Sequence, residues 1–373
     1  VAMERWFDPN GSNTAPYDTQ GTAATNPNTA SGTWDANGNC VLKWVGNSTV
    51  AFTTPPNPGG AGAWNTLLAM DESASVSGGS FLDDTNYNIA LGSANANYLQ
   101  IIGLKMYGSG RCSRSTFGVA HIKYINCYFY SDNSSISCLS VGGDDVEVVN
   151  CEFDASIGYP IFLQNQHNGF LGSPNINVHH NVIKMRSAGM TAMFVQGQNG
   201  YYTYGKAHRN IVLFDSGVSA NSGVFADGNS STYSKLDMKR NVAINLGTTY
   251  RGVGIAGTDT DNETTNTATT GWAKLNNHPR TLIQKVWEMK EGSEIFTVSL
   301  SDDVGNLSGE ELFDFVGRTT TASTHPGPFD SATIRDMYYV NNRGIGHPYS
   351  TGGGGGGGGG SLIPRTRFGG VSQ

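Results

Sequence analysis

Most of the residues whose types and spacing can do chemistry lie between positions 121 and 186. Gly142-Gly143-Asp144-Asp145 sets two carboxylates behind a pair of glycines, with Glu147 and Glu152 following. Glycoside hydrolysis needs two carboxyl groups about 5 to 9.5 Å apart, one as acid and one as base or nucleophile. Asp145 with Glu147 or Glu152 is a candidate pair. Elimination beside a uronate carboxylate needs a base together with a cation to neutralise that carboxylate. His179, His180, Lys184, Arg186, Lys239 and Arg240 supply those types. Each has a plainer reading: Asp-Asp after Gly-Gly is a common polar turn, and adjacent histidines face opposite sides of a strand. His179 and His180 are therefore expected as solvated turn residues without a shared metal, and no metal or cofactor is expected anywhere in the chain.

The elements that must position these groups repeat. Ile125-Asn126-Cys127-Tyr128-Phe129 returns 24 residues later as Val149-Asn150-Cys151-Glu152-Phe153, and Ile102-Gly103-Leu104-Lys105-Met106 precedes it. Looser versions follow at Asn181, Asn210 and Asn241. Each unit holds short alternating runs of Val, Ile, Tyr and Phe separated by Gly, Ser and Asn, the pattern of strands. Aligned on the Asn, the columns Leu99/Ile122/Val146, Ile101/Tyr124/Val148, Leu104/Cys127/Cys151 and Met106/Phe129/Phe153 face one side. Such a sheet is a coil stacked on itself. In the later units Ile176/Val178 and Leu236/Met238 sit one residue further from their Asn, which a bulge or an altered turn would explain.

With neighbouring coils in register, His121 lies over Asp145 and Lys123 over Glu147, while Lys105, Tyr128 and Glu152 form another column. His121, Lys123, Asp144, Asp145, Glu147 and Glu152 thus define a candidate carbohydrate-binding groove. A ladder of exposed charge pairs, each contributing about 0.2 to 1 kcal/mol, accounts for the same pattern, and the sequence favours that reading over catalysis. Cys127 and Cys151 stack at a distance that permits a disulfide, with buried reduced thiols the preferred reading.

Tyr98-Leu-Gln-Ile-Ile-Gly-Leu-Lys-Met106 and the two Asn-Cys-x-Phe units resemble the right-handed parallel β-helix superfamily of pectate lyases, polygalacturonases and phage tailspikes, over about residues 81–246. The resemblance implies an interior ladder of asparagine side chains at one corner, with Asn126 and Asn150 as its best matches. It does not extend to catalytic signatures. The Asn-Thr-Asp, Gly-His-Gly and Arg-Ile-Lys motifs of the hydrolases are absent, as are the Trp-Ile-Asp-His and Arg-x-Pro-x-x-Arg motifs of the lyases.

Composition agrees with an all-β solenoid. Charged residues are 14% of the 373, too few for the surfaces of long amphipathic helices, and glycine numbers 50. A net charge of −7 argues against a nucleic-acid partner. No run of 18 apolar residues predicts a membrane span, and the start, Val1-Ala2-Met3-Glu4-Arg5, does not lead into a signal peptide. Five cysteines without C-x-x-C spacing provide neither a disulfide framework nor a zinc site.

Four regions are expected. Residues 1–80 form a loop-rich cap containing Trp6, Trp34, Trp44 and Trp64, and 81–250 the parallel β-helix. Residues 251–346 form a small α+β insertion, with a helix over 279–289, a strand over 293–300 and a capping box at 308–311, before returning to the solenoid. Residues 347–373 are a poly-glycine linker and tail. Ordering nine glycines, 352–360, costs on the order of 9 to 18 kcal/mol. The tail is therefore expected to dock through Leu362, Ile363 and Phe368 as apolar anchors, with Arg365 and Arg367 bonding carboxylates. The groove that receives it would belong to a neighbouring subunit or another virion protein. The functional expectation is a structural protein of a phage virion surface, a homotrimeric spike, fibre or appendage that binds host polysaccharide. An extracellular polysaccharide lyase or glycoside hydrolase is the alternative, and a cell-surface adhesin a third reading.

Overall fold

The computed structural model describes residues 3–265 except 37, 54, 71–72, 78–88, 93, 109–111, 116–118, 126, 132–137, 150, 156–158, 165–166, 169–175, 180, 186–190, 199, 215–223, 240, 245–248 and 261. The expected helix over 279–289, the strand over 293–300, the capping box, the return of the solenoid and the tail 352–373 lie outside the described residues. So do Asn126, Asn150, His180, Arg186 and Arg240.

Among the described residues, alternation of apolar residues with polar ones builds three sheets, called here A, B and C, of ten, nine and eight parallel strands, with His167–Asn168 added antiparallel to Tyr201–His208 of sheet A. From Cys40 to Arg251 each coil contributes one short strand to each sheet in turn. The coil that carries Ala120–Ile125 in A continues as Tyr128–Ser131 in B and Leu139–Val141 in C. The next coil repeats the course with Asp144–Val149, Glu152–Ala155 and Ile161–Leu163. Register follows the expected columns: Leu99, Ile122 and Val146 are partners in sheet A, as are Ile101, Tyr124 and Val148. Met106, Phe129 and Phe153 are partners in sheet B. The fold is a parallel β-helix, right-handed as crossovers between parallel strands of one sheet are.

The boundary at residue 80 does not mark the start of the sheets. Met3–Phe7, Cys40–Trp44 and Asn65–Ala69 are the first three strands of sheet A, so the loop-rich stretches before residue 80 alternate with coils. Nor do the sheets end at 250, since Asp259–Thr260 and Glu263–Thr265 extend sheets A and B. One continuous core runs along the axis from Phe7 to Ile255. Within it Phe129 and Phe153 stack at 4.6 Å and 4°, and the Tyr124 hydroxyl shares a hydrogen bond with Ser113 at 2.9 Å. Burial of the phenol pushes the Tyr124 pKa up.

The slip in the later coils lies in the asparagine and not in the chain. Val149 pairs with His179 and Glu152 with Val182, so two residues make the corner between sheets A and B in both coils. Asn181 stands in the place of Cys151, one position later than the Asn of the earlier units; the corner gains no residue, which corrects the expectation of a bulge or an altered turn. Arg209 occupies that corner one coil later with φ 53°. The asparagine ladder is built there. Asn181 Nδ2 donates to Val148 O in the coil behind at 2.9 Å and to Asn210 Oδ1 in the coil ahead at 2.9 Å. Asn210 repeats this toward Val178 O and Asn241 Oδ1, and Asn241 toward Ala207 O and Asn262 Oδ1. Each Oδ1 also accepts a backbone N–H from the preceding coil, beginning with Cys151 N to Asn181 Oδ1 at 2.8 Å. A buried corner whose backbone groups face inward is thereby satisfied.

Candidate functional site

At the entry to sheet A three successive coils bend through the left-handed region at the residue before the first inward side chain. Tyr98 (φ 56°), His121 (φ 59°) and Asp145 (φ 53°) hold this position in three successive coils, immediately before Leu99, Ile122 and Val146. Non-glycine residues adopt this conformation at a cost of the order of 1 kcal/mol or more. Backbone bonds across the bend offset it: Tyr98 N donates to Ala120 O, and Asp144 N to Val119 O. Because the bend recurs in register, the side chains form a column.

Trp64, which precedes Asn65, opens the column. Its ring meets Tyr98 edge-on at 5.6 Å and 87°. Tyr98 stacks on the His121 imidazole at 4.2 Å, and His121 Nδ1 pairs with the Asp145 carboxylate in a short contact. All are half-buried or exposed. The adjoining outward column, two residues along each strand, holds Thr66, Gln100, Lys123, Glu147 and Asn177. Gln100 Nε2 donates to Thr66 Oγ1 at 2.8 Å. Lys123 Nζ lies 2.6 Å from Glu147 and 5.3 Å from the centre of the Trp64 ring, joining the two columns.

Glu147 takes a second partner, His179 Nε2, at 3.0 Å. Burial pushes its carboxyl up, but the hydrogen bond and charge of His179, together with the charge and hydrogen bond of Lys123, more than reverse this and hold it at about 2. His179 is fully buried and stacks on buried His208 at 4.7 Å and 3°, which corrects the expectation of a solvated turn histidine. It ends the strand Ile176–His179 in register with Val149, a position where Leu68, Ile102, Ile125 and Val149 form a second buried apolar cluster on the outward side. An imidazole can enter that row because Glu147 is within reach.

The structure thus brings together His121, Lys123, Asp145 and Glu147. Asp144 lies beside them, half-buried and in register with Ala120. Glu152 is placed elsewhere. It stands in sheet B in register with Lys105 and Tyr128, beyond the corner from Glu147, and is buried. The two expected columns thus stand on different sheets, Glu152 on B and Asp145 on A. Lys184 is likewise in sheet B, beside Asp154, away from His179. Among the described residues no group of three or more His, Cys, Asp or Glu is placed to hold a metal.

Sequence reasoning missed Trp64, Tyr98 and His179 as members of this face. The column Leu99/Ile122/Val146 already stacks the preceding residues Tyr98, His121 and Asp145, and extending it one coil back to Asn65 adds Trp64. Farther along the same face Tyr204 donates to Asp237, Lys235 Nζ lies 4.3 Å above the Tyr204 ring, and Thr258 donates twice to Asp237 Oδ1.

No family model matches the chain, and no curated protein does. The crystal structure of pectate lyase Pel9A is similar at 14% identity, over 88% of this chain and 97% of that one, with a TM-score of 0.42. From its own three sheets, the chain is a right-handed parallel β-helix carrying an outward strip of stacked aromatic and ion-paired side chains on sheet A.

Proposed function

We propose that the protein is a structural surface protein, a trimeric spike, fibre or appendage of a phage virion, whose sheet A strip binds host glycans without turning them over. One observation carries the choice of binding over catalysis: Glu147 is clamped between Lys123 and His179 and held ionised at about 2. A general acid needs a carboxyl whose pKa is raised toward working pH, and a base with a pKa near 2 has little driving force to take a proton. Asp145 is committed to His121 in turn. Charges so paired suit recognition, where fixed donors and acceptors beside aromatic rings orient a polar ligand. The setting on a virion is supported by the polar Gly- and Asn-rich composition and the glycine-rich tail. Trimerisation would bury the flanks of the solenoid against copies of itself.

The purified chain, incubated with neutral and acidic polysaccharides, should bind one class by calorimetry while producing neither unsaturated uronate absorbance nor new reducing ends. Trp64→Ala and Lys123→Ala should each weaken that binding by roughly tenfold or more, the scale of a lost hot-spot contact. Turnover that disappears in Asp145→Ala would replace this reading with the lyase or hydrolase. Sedimentation as a stable monomer at micromolar concentration would remove the trimer.

A further inference from the structure

Four of the five cysteines form two pairs, each bridging neighbouring coils. Cys127 and Cys151 immediately precede the register partners Tyr128 and Glu152, and Glu152 N donates to Cys127 O at 2.9 Å. Cys112 and Cys138 immediately precede the partners Ser113 and Leu139, and Cys112 N donates to Cys138 O at 2.8 Å. Thiol bonds run to backbone carbonyls across the coils: Cys112 Sγ donates to Tyr130 O at 3.1 Å, Cys127 Sγ to Ile101 O at 3.4 Å and Cys151 Sγ to Tyr124 O at 3.4 Å. Neighbouring positions of adjacent strands are about 4.8 Å apart, inside the Cα separation a disulfide spans. Cys40 is in an earlier coil, its thiol directed at Gly38 O at 3.7 Å.

The pairs are consecutive. Cys112 belongs to the coil of Tyr98, Cys138 and Cys127 to the coil of His121 and Lys123, and Cys151 to the coil of Asp145 and Glu147. We propose that Cys112–Cys138 and Cys127–Cys151 are two oxidation sites at which a low-molecular-weight disulfide converts each thiol pair into an inter-coil disulfide, stapling the three coils that carry Tyr98, His121 and Asp145. In each exchange one cysteine thiolate attacks the small disulfide, forming a mixed disulfide and releasing one small thiol. The second cysteine thiolate then attacks the protein-side sulfur and releases the other. Two protein S–H bonds are lost, one S–S bond forms, and the oxidant takes up both electrons and both protons as two thiols.

All four side chains are buried in the core. The Cys138 thiol is raised by its hydrogen bond to Cys112 and by burial, and the Cys151 thiol by burial and its hydrogen bond to Cys127. One thiol of each pair, Cys138 and Cys151, is thus held protonated in the closed coils, and all four are shut away from an oxidant, so the exchange belongs to folding in an oxidising medium, before the coils shut. The inference does not depend on glycan binding.

The test uses the full chain, unfolded with reductant and refolded in buffers of rising oxidised-to-reduced glutathione ratio. Samples are quenched in acid, alkylated in denaturant, digested and mapped by mass spectrometry. The expected result is a chain lighter by four hydrogens, with Cys112 linked to Cys138, Cys127 linked to Cys151, and Cys40 alkylated. Cys40→Ser should leave both links unchanged. Alkylation of all five thiols at every ratio overturns the proposal, and so does any other pairing or a link between chains.

Discussion

Replacing Glu147 by Gln keeps the shape of the side chain and removes its charge, so it isolates what Lys123 and His179 contribute. The Glu147 side chain is 14% exposed, with Lys123 Nζ at 2.6 Å and His179 Nε2 at 3.0 Å. Its pKa falls from 4.5 to about 2 in the folded chain, which by linkage corresponds to about 3 kcal/mol. A folded-state pKa below the unfolded one stabilises the protein above the unfolded value. That stabilisation is lost as pH falls through the folded value. Wild type should therefore exceed Glu147→Gln by up to about 3 kcal/mol at pH 6, and the gap should close between pH 4.5 and pH 2. Urea unfolding followed by tryptophan fluorescence at stepped pH measures it, with equal slopes in the two proteins showing that the unfolded states compare. A gap of the same size at both ends of that window, or no gap at pH 6, would refute the assignment of the stabilisation to the Glu147 charge.

Three other perturbations test the solenoid. Asn210→Ala removes a fully buried rung and leaves Asn181 N, one Asn181 amide hydrogen and Val178 O without that partner. At about 1 kcal/mol or more for each stranded group, the melting temperature should drop by several degrees in calorimetry, and by less for the terminal rung Asn262→Ala. Phe153→Ala opens a cavity under Phe129 and should cost about 3 to 5 kcal/mol in urea unfolding; a loss below about 1 kcal/mol would contradict the stacked core. Deletion of 352–373 should leave the β circular dichroism unchanged and abolish sedimentation as a trimer, whereas a trimer that survives the deletion makes the tail a passenger.

Much of this architecture is written locally. Alternating apolar residues choose strand over helix because side chains in a strand change sides at every residue. The return of Ile-Asn-Cys-Tyr-Phe as Val-Asn-Cys-Glu-Phe places those strands one coil apart and in register, so the columns through Tyr124 and Phe129 could be read without coordinates. The pairs His121–Asp145 and Lys123–Glu147 follow from the same arithmetic. What sequence could not decide is direction around the corners. Glu152 is five residues from Glu147, and only the turn between sheets A and B separates them. Nor does spacing reveal that outward positions can be buried, which makes His179 a partner of Glu147 and not a solvated residue. The left-handed bend at Tyr98, His121 and Asp145 has no glycine to announce it. It exists because cross-coil hydrogen bonds hold the backbone there, and those bonds form between residues distant in sequence. Period and register are local properties that a chain displays along its length, while burial, corner geometry and the pairing of charges arise when one coil closes on the next.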